Sequence, residues 1–352
     1  MTKFASWDLC ENIEKYVTYE RECHDRTPYH SAEYLQAEEK AEEGKVKVFV
    51  YERDGKFAIY TGVVRLINAL PYVRDLEDKY YDLITPHEYG GIISNTTNIE
   101  LKEELLRKLS QYCNENNIIY HFARINPYLD DLPAIYKKEN YELVHSCSQV
   151  YVNLDQTENE IFFGYKSNVR RNVKRAEKEG LTFEIAEKNK DNTKEFQSLY
   201  QSAMEVLGAK KFLYFNEKYF RSLITCSCSR LGVVRDVDNK IIAASIMLLG
   251  EETIYYHLGC FNREYAFKRP MNYLIHSMIL WGRQNGYKTF HLAGGGRSLM
   301  QFKEGYASTR IDYYIAYRVC NENQYRKICE DWREQFPQYA NATYYPLYRY
   351  NE

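Results

Sequence analysis

Residues 291–308 read HLAGGGRSLMQFKEGYAS. The preceding run, YKTFHLA (287–293), reads as a strand. It ends in the chain's only triple glycine, Gly294, Gly295 and Gly296, followed at once by Arg297. Beyond these stands Phe302-Lys303-Glu304-Gly305-Tyr306. Glycines at a strand end let the backbone approach a ligand with no Cβ in the way. Arg297 is placed to hold a phosphate or carboxylate. The plainer alternative is a surface loop whose glycines serve turn geometry and whose lysine is solvated.

Working outward, RLGVVRDVDNKIIAASIMLLG (230–250) is a hairpin around Asp238-Asn239, and ETIYYHLGC (252–260) a further strand. RPMNYLIHSMILWGRQNG (269–286) is a helix with Pro270 at its start and Gly286 just past its end. IDYYIAYRV (311–319) closes the series. The first half has the same order: a hairpin over 46–67 around Asp54-Gly55, a helix over 98–117, and strands over 118–126 and 141–154. At a shift of 170 residues ENNIIYHFA (115–123) lies over NGYKTFHLA (285–293), matching His121 to His291 and Ala123 to Ala293. The repeated order predicts a duplicated α/β domain with mixed sheets. The expected domains are 1–154 and 155–324, with a tail over 325–352. That tail is too aromatic to be left in solvent and is expected to pack back on the first half, with a strand-like piece around Pro346.

TENEIFFGYKSNVRRNVKRAEKEG (157–180) reads as one helix opened by a Thr157–Glu160 capping box. Tyr165, Val169, Val173 and Ala176 form its apolar stripe, and cations crowd 166–178 opposed only by Glu177. Arg170, Arg171 and Lys174 are candidate phosphate ligands, because guanidinium forks match phosphate. A solvated charged face is the simpler reading.

The length of 352 residues predicts two domains at roughly 100–200 residues each. Net charge is −2, so any affinity for nucleic acid or anionic lipid must come from a local patch. The N-terminal stretch shows no secretory signal and no run reaches membrane-helix length, which predicts a cytoplasmic protein with no membrane span. The nine cysteines lack zinc spacing and read as reduced thiols, with no metal site expected. The 35 tyrosines reflect either stacking surfaces or a compositional bias.

Taken together, NVRRNVKRAEKEG, YYHLGC, the Pro-led helix and FHLAGGGRSLMQFKEGYAS resemble the Fem-type peptidoglycan-bridge aminoacyltransferases and related acetyltransferase-like proteins. The resemblance runs over about 155–320 and is looser over the first half. It implies tandem GNAT-fold acyltransferase domains. It also implies that Lys303 neutralises the oxyanion that develops when an amine attacks an acyl carbonyl, with Phe302, Tyr306, Tyr256, the three glycines and Arg297 lining the substrate. Two departures stand out. The family often has an acidic residue where this chain has His291. The glycine-rich phosphate turn of coenzyme-A-binding GNAT domains is missing from CFNREYAFKRPMN (260–272), leaving Lys268, Arg269 and helix-start amides for phosphate.

The expected activity is therefore transfer of an acyl or aminoacyl group, from acyl-CoA (acetyl-CoA included) or aminoacyl-tRNA as co-substrate. The acceptor is an amine of a nucleotide-linked or envelope precursor. No tightly bound cofactor and no obligate protein partner is expected. His257 and His291 are the candidate general bases, since imidazole titrates near neutrality. The competing reading is a non-catalytic nucleotide or nucleic-acid binder acting through the basic helix.

Overall fold

The computed structural model describes residues 2–42, 44–74, 76–210, 213–339 and 341–350. The chain forms two compact units. Unit 1 comprises 1–146 and 313–352, and unit 2 comprises 147–312. In unit 1 the elements are β1 (Thr2–Asp8), α1 (Ile13–Glu22), α2 (Ala32–Glu42), β2 (Lys45–Arg53), β3 (Lys56–Leu66), β4 (Tyr81–Ile84), β5 (Gly91–Ser94), α3 (Ile99–Glu115), β6 (Ile118–Arg124) and α4 (Leu132–Lys138). The strand β7 (Glu142–Asn153) carries the chain into unit 2. There follow α5 (Glu158–Gly164), α6 (Ser167–Lys178), β8 (Thr182–Ala186), α7 (Lys190–Leu207), α8 (Glu217–Thr225), β9 (Ser229–Arg235), β10 (Ile241–Leu249), β11 (Thr253–Phe261), α9 (Pro270–Gln284), β12 (Thr289–Ala293) and α10 (Arg297–Lys303). The strand β13 (Arg310–Val319) returns to unit 1, and α11 (Glu322–Gln335) follows it.

The sheet of unit 1 runs β1-β2-β3-β4-β6-β13, with β5 also on β3, and that of unit 2 runs β8-β9-β10-β11-β12-β7. In each, one neighbouring pair is parallel, β4 with β6 and β11 with β12, among antiparallel neighbours. The two orders match strand for strand, and His121 and His291 sit at equivalent places on the second strand of the parallel pair. The closing strands differ in origin. β7 precedes the rest of its sheet in sequence and β13 follows the rest of its own. Hence the observed divisions fall at 146 and 312 rather than at 154 and 324. Ile315–Val319 pair with Tyr120–Arg124 of the first unit, and Val150–Asn153 with β12 of the second. Strands 141–154 and 311–319 are thus each shared between units, which a linear division of the sequence does not anticipate.

The expected single helix over 157–180 is two helices. Thr157 and Glu160 form the capping box of α5, but Tyr165 and Lys166 are extended. The amide of Lys166 donates to Gly305 O at 2.8 Å instead of continuing the helical ladder. Arg170 Nη1 donates to the carbonyls of Phe163 (3.0 Å) and Tyr165, closing the end of α5.

In unit 1 the segment after β13 is part of the core: Ile328, Cys329, Trp332 and Tyr348 share a buried cluster with strands β2, β3 and β6. Around Pro346 the chain makes a short 3-10 turn over Leu347–Arg349, not a strand. Many tyrosines are core residues here, Tyr16, Tyr60, Tyr120 and Tyr136 being fully buried. Stacking surfaces are therefore not needed to account for them. Among the described residues no helix is long and apolar enough to cross a membrane.

Candidate active site

The parallel ladder between β11 and β12 has three pairs, Thr253↔Thr289, Ile254↔Phe290 and Tyr255↔His291. β11 nevertheless continues to Phe261. Its register against β10 slips at this point, Leu258 facing Ile246 while Tyr256 faces Met247, so His257 is the extra residue of a bulge. A bulge bends its strand. The ladder therefore ends at Tyr255 and His291, where the two strands part. In unit 1 the matching gap is closed: β4 and β6 stay paired to Ile84↔Phe122, Thr85 N donates to Phe122 O at 3.0 Å, and Gly90 bridges Ile125.

β12 leaves the sheet through Ala293, whose φ of 58° is left-handed for a residue with a Cβ. A second register slip, between His291 and Ala293 against β7, accompanies this turn. A Cβ at Gly294 would stand 2.6 Å from Cys147 Sγ, so this glycine admits β7 rather than a ligand. Gly295, Gly296 and Arg297 are exposed.

α10 then carries Lys303 back inward. Its side chain is buried at 4 % exposure, with Nζ donating to Gly294 O at 2.5 Å and lying 5.5 Å from the centre of the Tyr256 ring. A buried ammonium is expensive unless its donors are used. The carbonyl at the root of the glycine loop meets that need and fixes the cation at the parting of β11 and β12. Phe302 is half-buried and meets the Tyr306 ring at 5.6 Å.

Tyr306, expected to line the substrate, is instead buried behind the lysine. Its hydroxyl accepts from Asn272 Nδ2 at 2.9 Å, and Asn172 Nδ2 donates to Asn272 Oδ1 at 3.2 Å. This network ties α6, α9 and the turn after α10 together. Gly305 completes the joint: a Cβ there would stand 2.5 Å from Val169 Cγ2 and 2.9 Å from Phe302 O. Gly305→Ala is expected to destabilise unit 2 by about 1–3 kcal/mol through overpacking. Val169→Ala in the same chain should recover part of that loss, measured by urea unfolding.

The two histidines expected as general bases are both buried. His291 is fully buried, its Nε2 3.0 Å from Gln149 Oε1. Burial, helped by the Lys303 charge, pushes its pKa down to about 3. A group kept neutral to so low a pKa is a weak base, which weighs against the general-base role expected of His291. The sign of its pH linkage follows. As pH falls below about 6.5 the unfolded chain takes up a proton that the native state refuses until about 3. Stability present above that upper value should fall by about 1.4 kcal/mol per pH unit on the way down. His291→Gln should flatten the difference between urea midpoints at pH 7 and pH 5. His257 is also buried, with Nε2 3.3 Å from the Tyr219 hydroxyl.

The apolar stripe of α6 is buried as its spacing predicts, Tyr165, Val169, Val173 and Ala176 all lying inside. Lys166, Arg171, Lys174, Arg175 and Lys178 are exposed. Arg170 is not available to phosphate through the nitrogen that closes α5. Lys268 lies 5.6 Å from the Tyr265 ring, and Arg269 is exposed at the start of α9 with φ 62°. Gln149, Cys147 and Asn272 were not expected at the site. Nothing in their local sequence marks them, because strand exchange and helix packing bring them there. Among the described residues no group of His, Cys, Asp and Glu is arranged to hold a metal.

Residues 164–304, which span most of this construction, match the family model described as acetyltransferase (GNAT) domain. This segment is a GNAT acyltransferase domain. The match assigns this segment, about two-fifths of the chain, to the GNAT N-acyltransferase superfamily. No curated protein matches the chain. Among solved structures, FemX is similar at 14% identity, with 83% of this chain and 92% of that one covered and a TM-score of 0.64. L-PGS from Bacillus licheniformis is similar at 17% identity, covering 90% and 95%, with a TM-score of 0.58. The C-terminal domain of a putative lysylphosphatidylglycerol synthetase from Agrobacterium fabrum gives 16%, 90%, 93% and 0.57. Likeness at such identities establishes the fold: the duplicated mixed α/β arrangement inferred from the internal repeat, and the tandem GNAT fold implied by the family resemblance, are the ones observed.

Proposed function

We propose that the GNAT domain of unit 2 transfers an aminoacyl group from aminoacyl-tRNA to an amine of a cell-envelope precursor, with Lys303 neutralising the developing oxyanion. The observation that carries this reading is a buried ammonium fixed where β11 and β12 part. The amine nitrogen attacks the acyl carbonyl carbon and a C–N bond forms. Negative charge collects on the carbonyl oxygen beside Lys303. Collapse breaks the ester C–O bond, and the amine's proton leaves with the freed ribose hydroxyl by way of water.

Two features support tRNA over coenzyme A as donor. The start of α9 is poorly built for a pyrophosphate, because Pro270 has no N–H and the amides of Asn272 and Tyr273 bond back to Arg269 O. α6 instead exposes a row of cations suited to a longer phosphate backbone. The envelope acceptor is supported by the fold shared with FemX and with a putative lysylphosphatidylglycerol synthetase. The test is transfer onto envelope-precursor amines with charged tRNA or acyl-CoA as donor. Product formation abolished by ribonuclease is the expected result. Release of free thiol from acyl-CoA, with tRNA inert, would reverse the donor assignment.

A further inference from the structure

α7 and α8 share no residue with the apolar cluster that holds α5, α6, α9 and Tyr306. Between them lies a cavity of ≈ 510 Å³, within the size range of small-molecule sites. α7 lines it with positions 190, 193, 194, 197, 198 and 201, one continuous helical face about 16 Å long. α8 lines it with 217, 221 and 225. The opposite faces are apolar and buried, through Phe196 and Tyr200 on α7 and Phe220 and Leu223 on α8. Not one lining residue is apolar or aromatic.

The charge of this groove is lopsided. Lys188, Lys190, Lys194 and Arg221 face a single acid, Glu217. Among the described residues Lys190, Lys194 and Arg221 make no ion pair. Some exposed cations elsewhere are matched, as Arg107 with Glu104, Lys138 with Glu103 and Lys288 with Glu252, whereas these three are not. The end of the groove is held in place, since Lys188 Nζ donates to Cys226 O at 2.6 Å at the end of α8.

We propose that the groove between α7 and α8 binds a phosphorylated sugar. Lys190, Lys194 and Arg221 take the phosphate. Gln197, Ser198 and Gln201 run onward with the mixed donors and acceptors that ring hydroxyls require. Glu217 receives a hydroxyl at the far end. The lack of any aromatic ring in the lining speaks against a nucleobase, which binds by stacking. This site does not depend on the acyl-transfer reading.

The test is calorimetric titration of the full chain with glucose 6-phosphate, glucose 1-phosphate, glucose and inorganic phosphate. At least one sugar phosphate should bind with Kd of about 1 mM or tighter, and glucose and phosphate about tenfold more weakly. Arg221→Glu and Lys194→Glu, both on exposed helix positions, should each weaken the sugar phosphate by about tenfold or more with the thermal melt unchanged. Lys303→Ala should leave this binding intact. Equal affinity for inorganic phosphate and both sugar phosphates would mean an adventitious ion only and overturn the proposal. Indifference to Arg221→Glu, or no heat from either sugar phosphate, would overturn it as well.

Discussion

Lys303→Ala is expected to lower kcat by about 10²–10³-fold while leaving donor binding nearly unchanged, the range found for loss of one oxyanion donor. The reasoning is differential: the ammonium interacts weakly with a neutral carbonyl and strongly with the charge that develops in the transition state. At 4 % exposure the cation is largely out of water, so its field is less screened than that of a surface lysine. Lys303→Arg should not restore the rate. The guanidinium is larger and forked, and the position beside Gly294 O and the Tyr256 ring is shaped to a compact head. Steady-state kinetics on purified variants, with a thermal melt as folding control, decide the matter. A kcat within about twofold of wild type on a well-folded Lys303→Ala chain would remove the lysine from the chemistry.

Periodicity made the duplicated architecture legible, and the overlay of His121 on His291 joined strands that hold equivalent places in the two sheets. Composition could not show that β7 and β13 are shared between the units, since strand pairing is a long-range property that no local spacing encodes. The break between α5 and α6 was hidden for a related reason: it is made by a hydrogen bond to Gly305 O, more than a hundred residues away in sequence. One signal was present and unread. Lys138-Glu139-Asn140-Tyr141 copies Lys303-Glu304-Gly305-Tyr306, and α4 ends at Lys138 as α10 ends at Lys303. Asn140 takes a left-handed φ of 61°. The copy has been turned outward. Lys138 pairs with Glu103 at 2.6 Å on the surface, and the Tyr60 and Tyr141 hydroxyls each lie 2.6 Å from a nitrogen of His121. Unit 1 keeps the same frame with the corresponding place filled by aromatic rings, and the burial of Lys303 is what separates the two copies.

Asp82→Ala is expected to cost unit 1 about 3–5 kcal/mol, the loss associated with removing one partner of a buried charge pair. Asp82 is fully buried on β4. Its carboxylate accepts from Arg65 Nε at 2.8 Å, from Arg349 Nε at 2.9 Å and from the Tyr348 hydroxyl at 3.2 Å. Alanine would leave two guanidiniums, each less than a fifth exposed, with no counter-charge. It would also release the segment that holds Tyr348 in the core. Burial alone would raise the carboxyl pKa, but Arg65 and Arg349 together outweigh it and hold the group below its ordinary value. The linkage has the opposite cause to that of His291 but the same sign in acid. Stability from Asp82 is complete above an unfolded pKa of about 3.9 and is lost as pH falls through the depressed native value. Hydrogen exchange at pH 7 provides the measurement, because two units need not unfold together. In Asp82→Ala, protection should drop across β4, β6 and α11, whereas a variant with wild-type protection there would show that the carboxylate does not anchor the C-terminal segment.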